Sequence, residues 1–194
     1  MSFGKSGGYL FFKRALDIFF STLLLFFLFI PMCAVALIIC MTSEGGAIFR
    51  QRRVGKDGRV FTCYKFRTMY RYAPQSCPKS SFSDSERYIT PVGRFLRRSS
   101  LDELPQLFNV LRGDMSLVGP RPLIEEEGEI HELRRRCGVY RLRPGITGLA
   151  QVSGRDSVSD IDKARFDARY AREVSLGRDT GIVLRTVLGA MGGK

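Results

Sequence analysis

The chain has a single histidine, His131, no tryptophan and no Cys-x-x-Cys pair. One imidazole is too few for a histidine-built metal centre, and a His-centred triad is not expected. The five cysteines, Cys33, Cys40, Cys63, Cys77 and Cys137, are odd in number. That speaks against a disulfide framework or a zinc knuckle and suits a reducing cytoplasm. Acidic residues are also scarce: 19 Asp plus Glu stand against 31 Lys plus Arg, a net charge of +12. Such an excess suits anionic partners, whether lipid headgroups, nucleotides or nucleic acid. Gly145, Gly148 and Gly154 match neither a dinucleotide fingerprint nor a P-loop, and they read as turns.

Charge is missing altogether from residues 18–41, where Phe and Leu dominate. The run exceeds the ~20 apolar residues that a spanning helix needs and the roughly 7–15 of a signal-peptide core. Pro31 lies near its middle, lacks a backbone donor and would bend a helix there. Lys5, Lys13 and Arg14 precede the run, and Arg50, Arg52, Arg53, Lys56 and Arg59 follow it. Basic flanks prefer the cytoplasmic side, so two of them favour a helix-break-helix that returns to the same face. Proline also occurs in spanning helices, so the residues alone leave both courses open.

The expected organisation is a membrane segment over residues 1–43 and a cytoplasmic catalytic domain over residues 44–194. In the latter, residues 60–67 alternate as a strand, and Lys56-Asp57-Gly58-Arg59 makes the turn of a β-hairpin. Residues 71–85 read as a loop. A helix is expected over 102–112, with Leu104, Leu107, Phe108 and Leu111 as its apolar stripe and Gly113 as its stop. Residues 115–118 should be extended, 123–137 a charged helix, 143–148 a loop, and 159–174 and 179–190 helices. The last could lie on the bilayer or pack on the core. The fold class is therefore α+β and mostly helical, with a β-hairpin.

The chemistry-bearing feature is Asp102-Glu103, which follows Arg94, Arg97 and Arg98. Adjacent carboxylates at the end of a basic cluster can hold a nucleophile, a divalent cation and a phosphorylated substrate together. The local alternative is a capping box, Ser100-x-x-Glu103, at a helix start. Arg97, Arg121, Lys65 and Arg67 are candidate phosphate ligands. Arg121 stands out because Pro120 and Pro122 stiffen the chain around it. Basic residues interleave with Tyr64, Phe66, Tyr70 and Tyr72, yet no nucleic-acid module is present, and no nucleic-acid partner is expected. A non-catalytic basic membrane adaptor is the rival class.

Several motifs in fixed order resemble those of the bacterial sugar transferases, specifically the small monotopic polyprenyl-phosphate phosphoglycosyl transferases. They begin with Lys13-Arg14-Ala15-Leu16-Asp17 and Phe49-Arg50-Gln51-Arg52-Arg53-Val54-Gly55. Tyr64-Lys65-Phe66-Arg67-Thr68-Met69 and Ser100-Leu101-Asp102-Glu103-Leu104-Pro105-Gln106-Leu107 follow. The series closes with Asp114-Met115-Ser116-Leu117-Val118-Gly119-Pro120-Arg121-Pro122 and Arg143-Pro144-Gly145-Ile146-Thr147-Gly148-Leu149-Ala150-Gln151-Val152-Ser153-Gly154-Arg155.

The resemblance implies a re-entrant helix broken at Pro31, and a catalytic domain of interfacial amphipathic helices and a small α/β region with a β-hairpin on the cytoplasmic face of the bacterial inner membrane. It implies transfer of a sugar-1-phosphate from a UDP-sugar to undecaprenyl phosphate, with UMP released and Mg²⁺ required. Asp102 falls on the nucleophile, Glu103 on the metal-assisting residue, and Arg97 and Arg121 on phosphate ligands. Anionic lipids and later glycosyltransferases of the same glycan pathway are the further partners implied. The chain departs from the family pattern in having Asp156 where Asn is frequent, and in lacking the Trp that often follows.

Overall fold

The computed structural model describes residues 6–74, 85–154 and 159–191. It is mostly helical, with two small two-stranded sheets. The first element, α1 (Ser6–Thr42), contains Pro31 in its interior. The chain thus forms one helix here, not the two separated at Pro31 that were expected. Pro31 removes one donor, and the helical bonds on either side carry the element through.

One stripe of α1, made of Lys13, Asp17, Ser21, Leu25, Met32 and Ile39, is buried against the rest of the protein. The other sides expose Phe11, Phe26, Phe27, Ile30, Leu37 and Met41, among others. A helix this long and apolar, and uncovered by protein, meets the length and composition needed to cross a membrane.

The basic head of α1 is engaged internally. Lys13 Nζ lies 2.5 Å from Asp179, and the Tyr9 hydroxyl donates to the same carboxylate at 2.7 Å. Arg14 donates to the Val110 and Leu111 carbonyls at 2.6 and 3.0 Å, and Asp17 accepts from the Leu117 amide at 3.0 Å. Lys13 and Arg14 were read as part of the basic flank that keeps to the cytoplasmic side. The structure gives them partners within the domain, because buried charges need partners.

The hairpin forms as expected. β1 (Ile48–Val54) pairs antiparallel with β2 (Val60–Phe66), placing Phe49 opposite Lys65. Next comes α2 (Pro91–Arg98), which the sequence reading did not separate out. Its signal is Thr90-Pro91: the Thr90 hydroxyl caps the Gly93 amide at 2.9 Å, and proline takes the first helical position. Gly93 lets α2 touch the chain after β2, since a Cβ there would stand 2.0 Å from the Thr68 carbonyl oxygen. Gly93→Ala is expected to lower stability by about 1–3 kcal/mol, as overpacking does. Thermal unfolding in detergent checks this, and an unchanged midpoint would contradict the tight contact.

The helix expected over 102–112 is divided. Leu101–Glu103 is a 3₁₀ turn, and α3 is Gln106–Arg112, starting just after Pro105 and closed by Gly113 at φ +92°. Proline's missing donor costs nothing at that position. β3 (Ser116–Val118) pairs in parallel with β4 (Gly145–Thr147), which corrects the loop expected over 143–148. Three residues are too few for periodicity, and only a distant partner reveals such a strand. Gly145 serves this packing rather than a turn: a Cβ on it would stand 2.0 Å from the Gly119 nitrogen.

The charged helix α4 (Gly128–Arg136) starts later than residue 123, because Leu123 bridges to Val54 and is buried. α5 (Leu149–Gly154), α6 (Asp160–Arg172) and α7 (Leu176–Met191) complete the order. α7 packs on the core through Ile182 while exposing Leu176, Val183, Leu184, Val187 and Leu188. The expected interfacial helix thus shows one face to the core and an uncovered apolar face away from it.

Candidate active site

The 3₁₀ turn between α2 and α3 presents Asp102 and Glu103. Ser100 enters it at φ +58° and its side chain makes no capping bond, so the capping box does not form. Glu103 turns to β2 instead: its Oε1 accepts from Lys65 Nζ at 2.5 Å and lies 3.8 Å from Arg121 Nη1. α3 is fastened to β2 by Asn109, which is fully buried. Asn109 accepts from the Tyr64 amide at 3.0 Å and donates to the Thr62 carbonyl at 2.7 Å. A lone amide within an apolar stripe was its only sequence signal.

A narrow cleft opens beside the turn, lined by Arg53, Cys63, Lys65, Glu103, Gln106, Arg121 and Gln151, while Asp102 lies outside this lining. Three of these side chains are cationic and one is anionic, so the lining carries an excess of positive charge. Arg53, read as part of the basic flank and of the Phe49–Gly55 motif, donates to the Pro122 carbonyl at 3.0 Å and to Gln51 Oε1 at 2.6 Å. Burial, followed by the neighbouring charge of Arg121, pulls its pKa below the usual arginine value. Crowded like charges of this kind favour an anionic ligand.

Arg97 is drawn to the Asp102 side, its Nε donating to the Thr68 hydroxyl at 2.8 Å. Arg121 is set from behind: its carbonyl accepts from Arg134 Nη1 at 2.7 Å, and Arg134 pairs with Asp167. Arg134 and Asp167 are 2 % and 1 % exposed, an ion pair between α4 and α6 that the sequence reading missed. Arg67 does not join the cleft. Its guanidinium donates to the Ser43 carbonyl at 2.8 Å and to the Glu44 and Gly45 carbonyls, tying the exit of α1 to β2. Arg67, one of the expected phosphate ligands, serves here as a structural tie. The position of Asp156 lies outside the described residues.

The two carboxylates are pushed apart in acidity. Burial raises the Asp102 pKa; Glu103's charge adds to this, while Lys65 and Arg97 oppose it. Burial also works to raise Glu103, but Lys65 and Arg121 outweigh it and hold Glu103 below the usual range. Adjacent groups driven in opposite directions are the pattern of a divided chemical task. Asp102 thus holds its proton more firmly than an ordinary aspartate, and Glu103 less firmly than an ordinary glutamate.

Among the described residues, no group of three or more His, Cys, Asp or Glu side chains could cage a metal. Two adjacent carboxylates still fit Mg²⁺, which takes one or two protein oxygens and completes its sphere with phosphates and water.

A sequence profile of the bacterial sugar transferases matches residues 8–193. The chain belongs to this family. Exopolysaccharide production protein ExoY of Rhizobium meliloti is 38% identical over 192 residues, covering 90% of this chain and 83% of the relative. The UDP-glucose:undecaprenyl-phosphate glucose-1-phosphate transferase of Escherichia coli is 42% identical, covering 90% of this chain but 39% of its own length. The undecaprenyl-phosphate galactose phosphotransferase of Salmonella typhimurium is 40% identical, with 91% and 40% covered. Among these sugar transferases the chain thus spans most of one relative and about two fifths of the two others. The matched region contains the whole cleft.

Proposed function

We propose that the protein transfers a sugar-1-phosphate from a UDP-sugar to undecaprenyl phosphate, through Asp102, at the cytoplasmic face of a bacterial inner membrane. The observation that carries this reading is the carboxylate pair of the 3₁₀ turn, set beside the basic cleft. A carboxylate made more basic by burial stands beside a carboxylate clamped by Lys65 and Arg121. The relatives named for glucose-1-phosphate and galactose transfer to undecaprenyl phosphate supply the reaction class.

In the first step an Asp102 oxygen attacks the phosphorus that carries the sugar. A P–O bond forms to the carboxylate, the bond to the UMP oxygen breaks, and UMP leaves. In the second step an oxygen of the lipid phosphate attacks the same phosphorus. The Asp102 carboxylate is released, and the product is a lipid diphosphate bearing the sugar. Arg121, Lys65 and Arg53 bind the donor's phosphates and screen their repulsion of the incoming carboxylate. Arg97 sits on the Asp102 side, where it orients the nucleophile and a nonbridging oxygen. Glu103 would hold Mg²⁺, which when bound stabilises charge on the departing phosphate.

The acceptor arrives through the bilayer, and α1 is the element that meets it. The amino-terminal part of α1 is held by Asp179, Val110 and Leu117, while its exit is tied by Arg67 to the same domain. This arrangement supports a re-entrant course in which both ends of α1 stay at one face. Anionic lipids would meet the uncovered faces of α1 and α7. Later glycosyltransferases of the glycan pathway would take the product.

The deciding experiment presents a panel of UDP-sugars with undecaprenyl phosphate and Mg²⁺ and measures UMP. At least one donor is expected to give UMP that requires the lipid for sustained turnover and disappears when EDTA removes the metal. No UMP from any donor would leave a non-catalytic membrane adaptor in its place.

A further inference from the structure

Among the described residues, two polar atoms of the cleft lining have no hydrogen-bond partner. Gln106 is 2 % exposed, and its Nε2 is unpaired. Gln151 donates its Nε2 to the Ile146 carbonyl at 3.0 Å, which fixes the amide and leaves its buried Oε1 unpaired. Both side chains line the same cleft as Lys65, Glu103 and Arg121. Leaving a buried donor or acceptor unmade costs about 1–3 kcal/mol each, so such atoms in a cleft mark where a ligand completes them. Gly148 keeps room for one of them: a Cβ there would come within 2.7 Å of Gln151 Oε1.

The chemistry of the pair selects the ligand atom. A phosphate oxygen would suit Gln106 Nε2 but offers Gln151 Oε1 nothing, because it has no proton to donate. A hydroxyl satisfies both, accepting from the first and donating to the second. The position along the substrate selects which hydroxyl. The phosphorus that Asp102 attacks carries the sugar, and the nucleoside lies one phosphate farther away. Gln106 and Gln151 share their cleft with Glu103, the neighbour of Asp102, and the sugar is the part of the donor bound to the phosphorus that Asp102 attacks.

We propose that Gln106 and Gln151 together bind a hydroxyl of the transferred sugar and so set which UDP-sugar is used. The inference rests on the phosphoglycosyl transfer reading above.

The test uses the full-length protein in detergent with the preferred UDP-hexose and its singly deoxygenated analogues. The readout is kcat/KM for UMP release. For the wild type, removing one particular hydroxyl is expected to cost about 10–100-fold, the price of unpaired buried partners. In Gln151→Met the same analogue should lose no more than about twofold relative to the intact donor, because the contact is already gone. UDP alone should compete equally well against both proteins. Equal turnover of every deoxy donor by the wild type would overturn the inference. So would a loss in Gln151→Met that is uniform across all donors, or one that appears in the UDP competition. Gln106→Met repeats the comparison from the donor side, and Gln151→Met decides alone if that variant does not fold. A wild type that releases no UMP from any donor strikes the transfer reaction itself, a different result from a flat deoxy series.

Discussion

Asp102→Asn is expected to reduce UMP release by at least about a thousandfold, the scale on which an enzyme loses its nucleophile. The substitution keeps the shape of the side chain. The Lys65–Glu103 pair at 2.5 Å and the Arg97–Thr68 bond at 2.8 Å do not involve it, so the cleft should persist. What disappears is the anionic oxygen that forms the bond to phosphorus. Intact-mass measurement of the wild type with donor and Mg²⁺, acceptor withheld, should show a sugar-phosphate adduct that the variant never forms. An adduct on the variant would place the nucleophile elsewhere.

The same residue dictates a pH dependence. Burial keeps Asp102 protonated to higher pH than an ordinary aspartate. Only the ionised form attacks, so the first half-reaction should accelerate with rising pH through a pKa above the ordinary aspartate value of 3.8. Glu103 is shifted the other way and ionises at lower pH than an ordinary glutamate. An acid limb at or below the ordinary aspartate range would contradict the burial of Asp102.

Arg134→Met should be the most damaging change outside the cleft. It leaves the Asp167 carboxylate, 1 % exposed, without its cation. Breaking such a pair from one side costs about 3–5 kcal/mol, whereas replacing both partners by apolar groups is often close to neutral. Arg134→Met is therefore expected to unfold at much lower temperature, and Arg134→Met with Asp167→Leu to recover most of the loss. Acid should help the single variant. Burial already raises the Asp167 pKa, and without Arg134 the carboxylate protonates more readily still, which removes the lone buried charge as pH falls. Stability that declined further in acid would rule out Asp167 as the source. The recovered double variant should keep a defect in donor binding, since Arg134 also holds the Arg121 carbonyl.

Local signals carried far into this structure. The Lys56–Gly58 turn, the long charged helix α6 and the Gly113 stop were readable because neighbours in sequence decide them. Asp102, Glu103, Lys65 and Arg121 were readable as a set through the motif resemblance, and the fold brings Lys65 and Arg121 to Glu103. Illegible were the features decided by distant partners. β4 exists only through β3, and Ser100 loses its capping role because Glu103 finds Lys65, 38 residues earlier. Arg67 and Lys65 differ by two positions and look equivalent, yet one ties a carbonyl cluster and the other enters the cleft. Thr90-Pro91 was a local signal that the reading passed over, and α2 went with it.

The two hydrogen bonds from Arg14 to the end of α3 reach further than anchoring. They make the amino-terminal helix a scaffold strut whose removal would unseat the reaction centre. Anyone seeking a water-soluble version for crystallography or inhibitor screening cannot treat that helix as a detachable tether. A fragment trimmed of it would forfeit the brace behind its own chemistry.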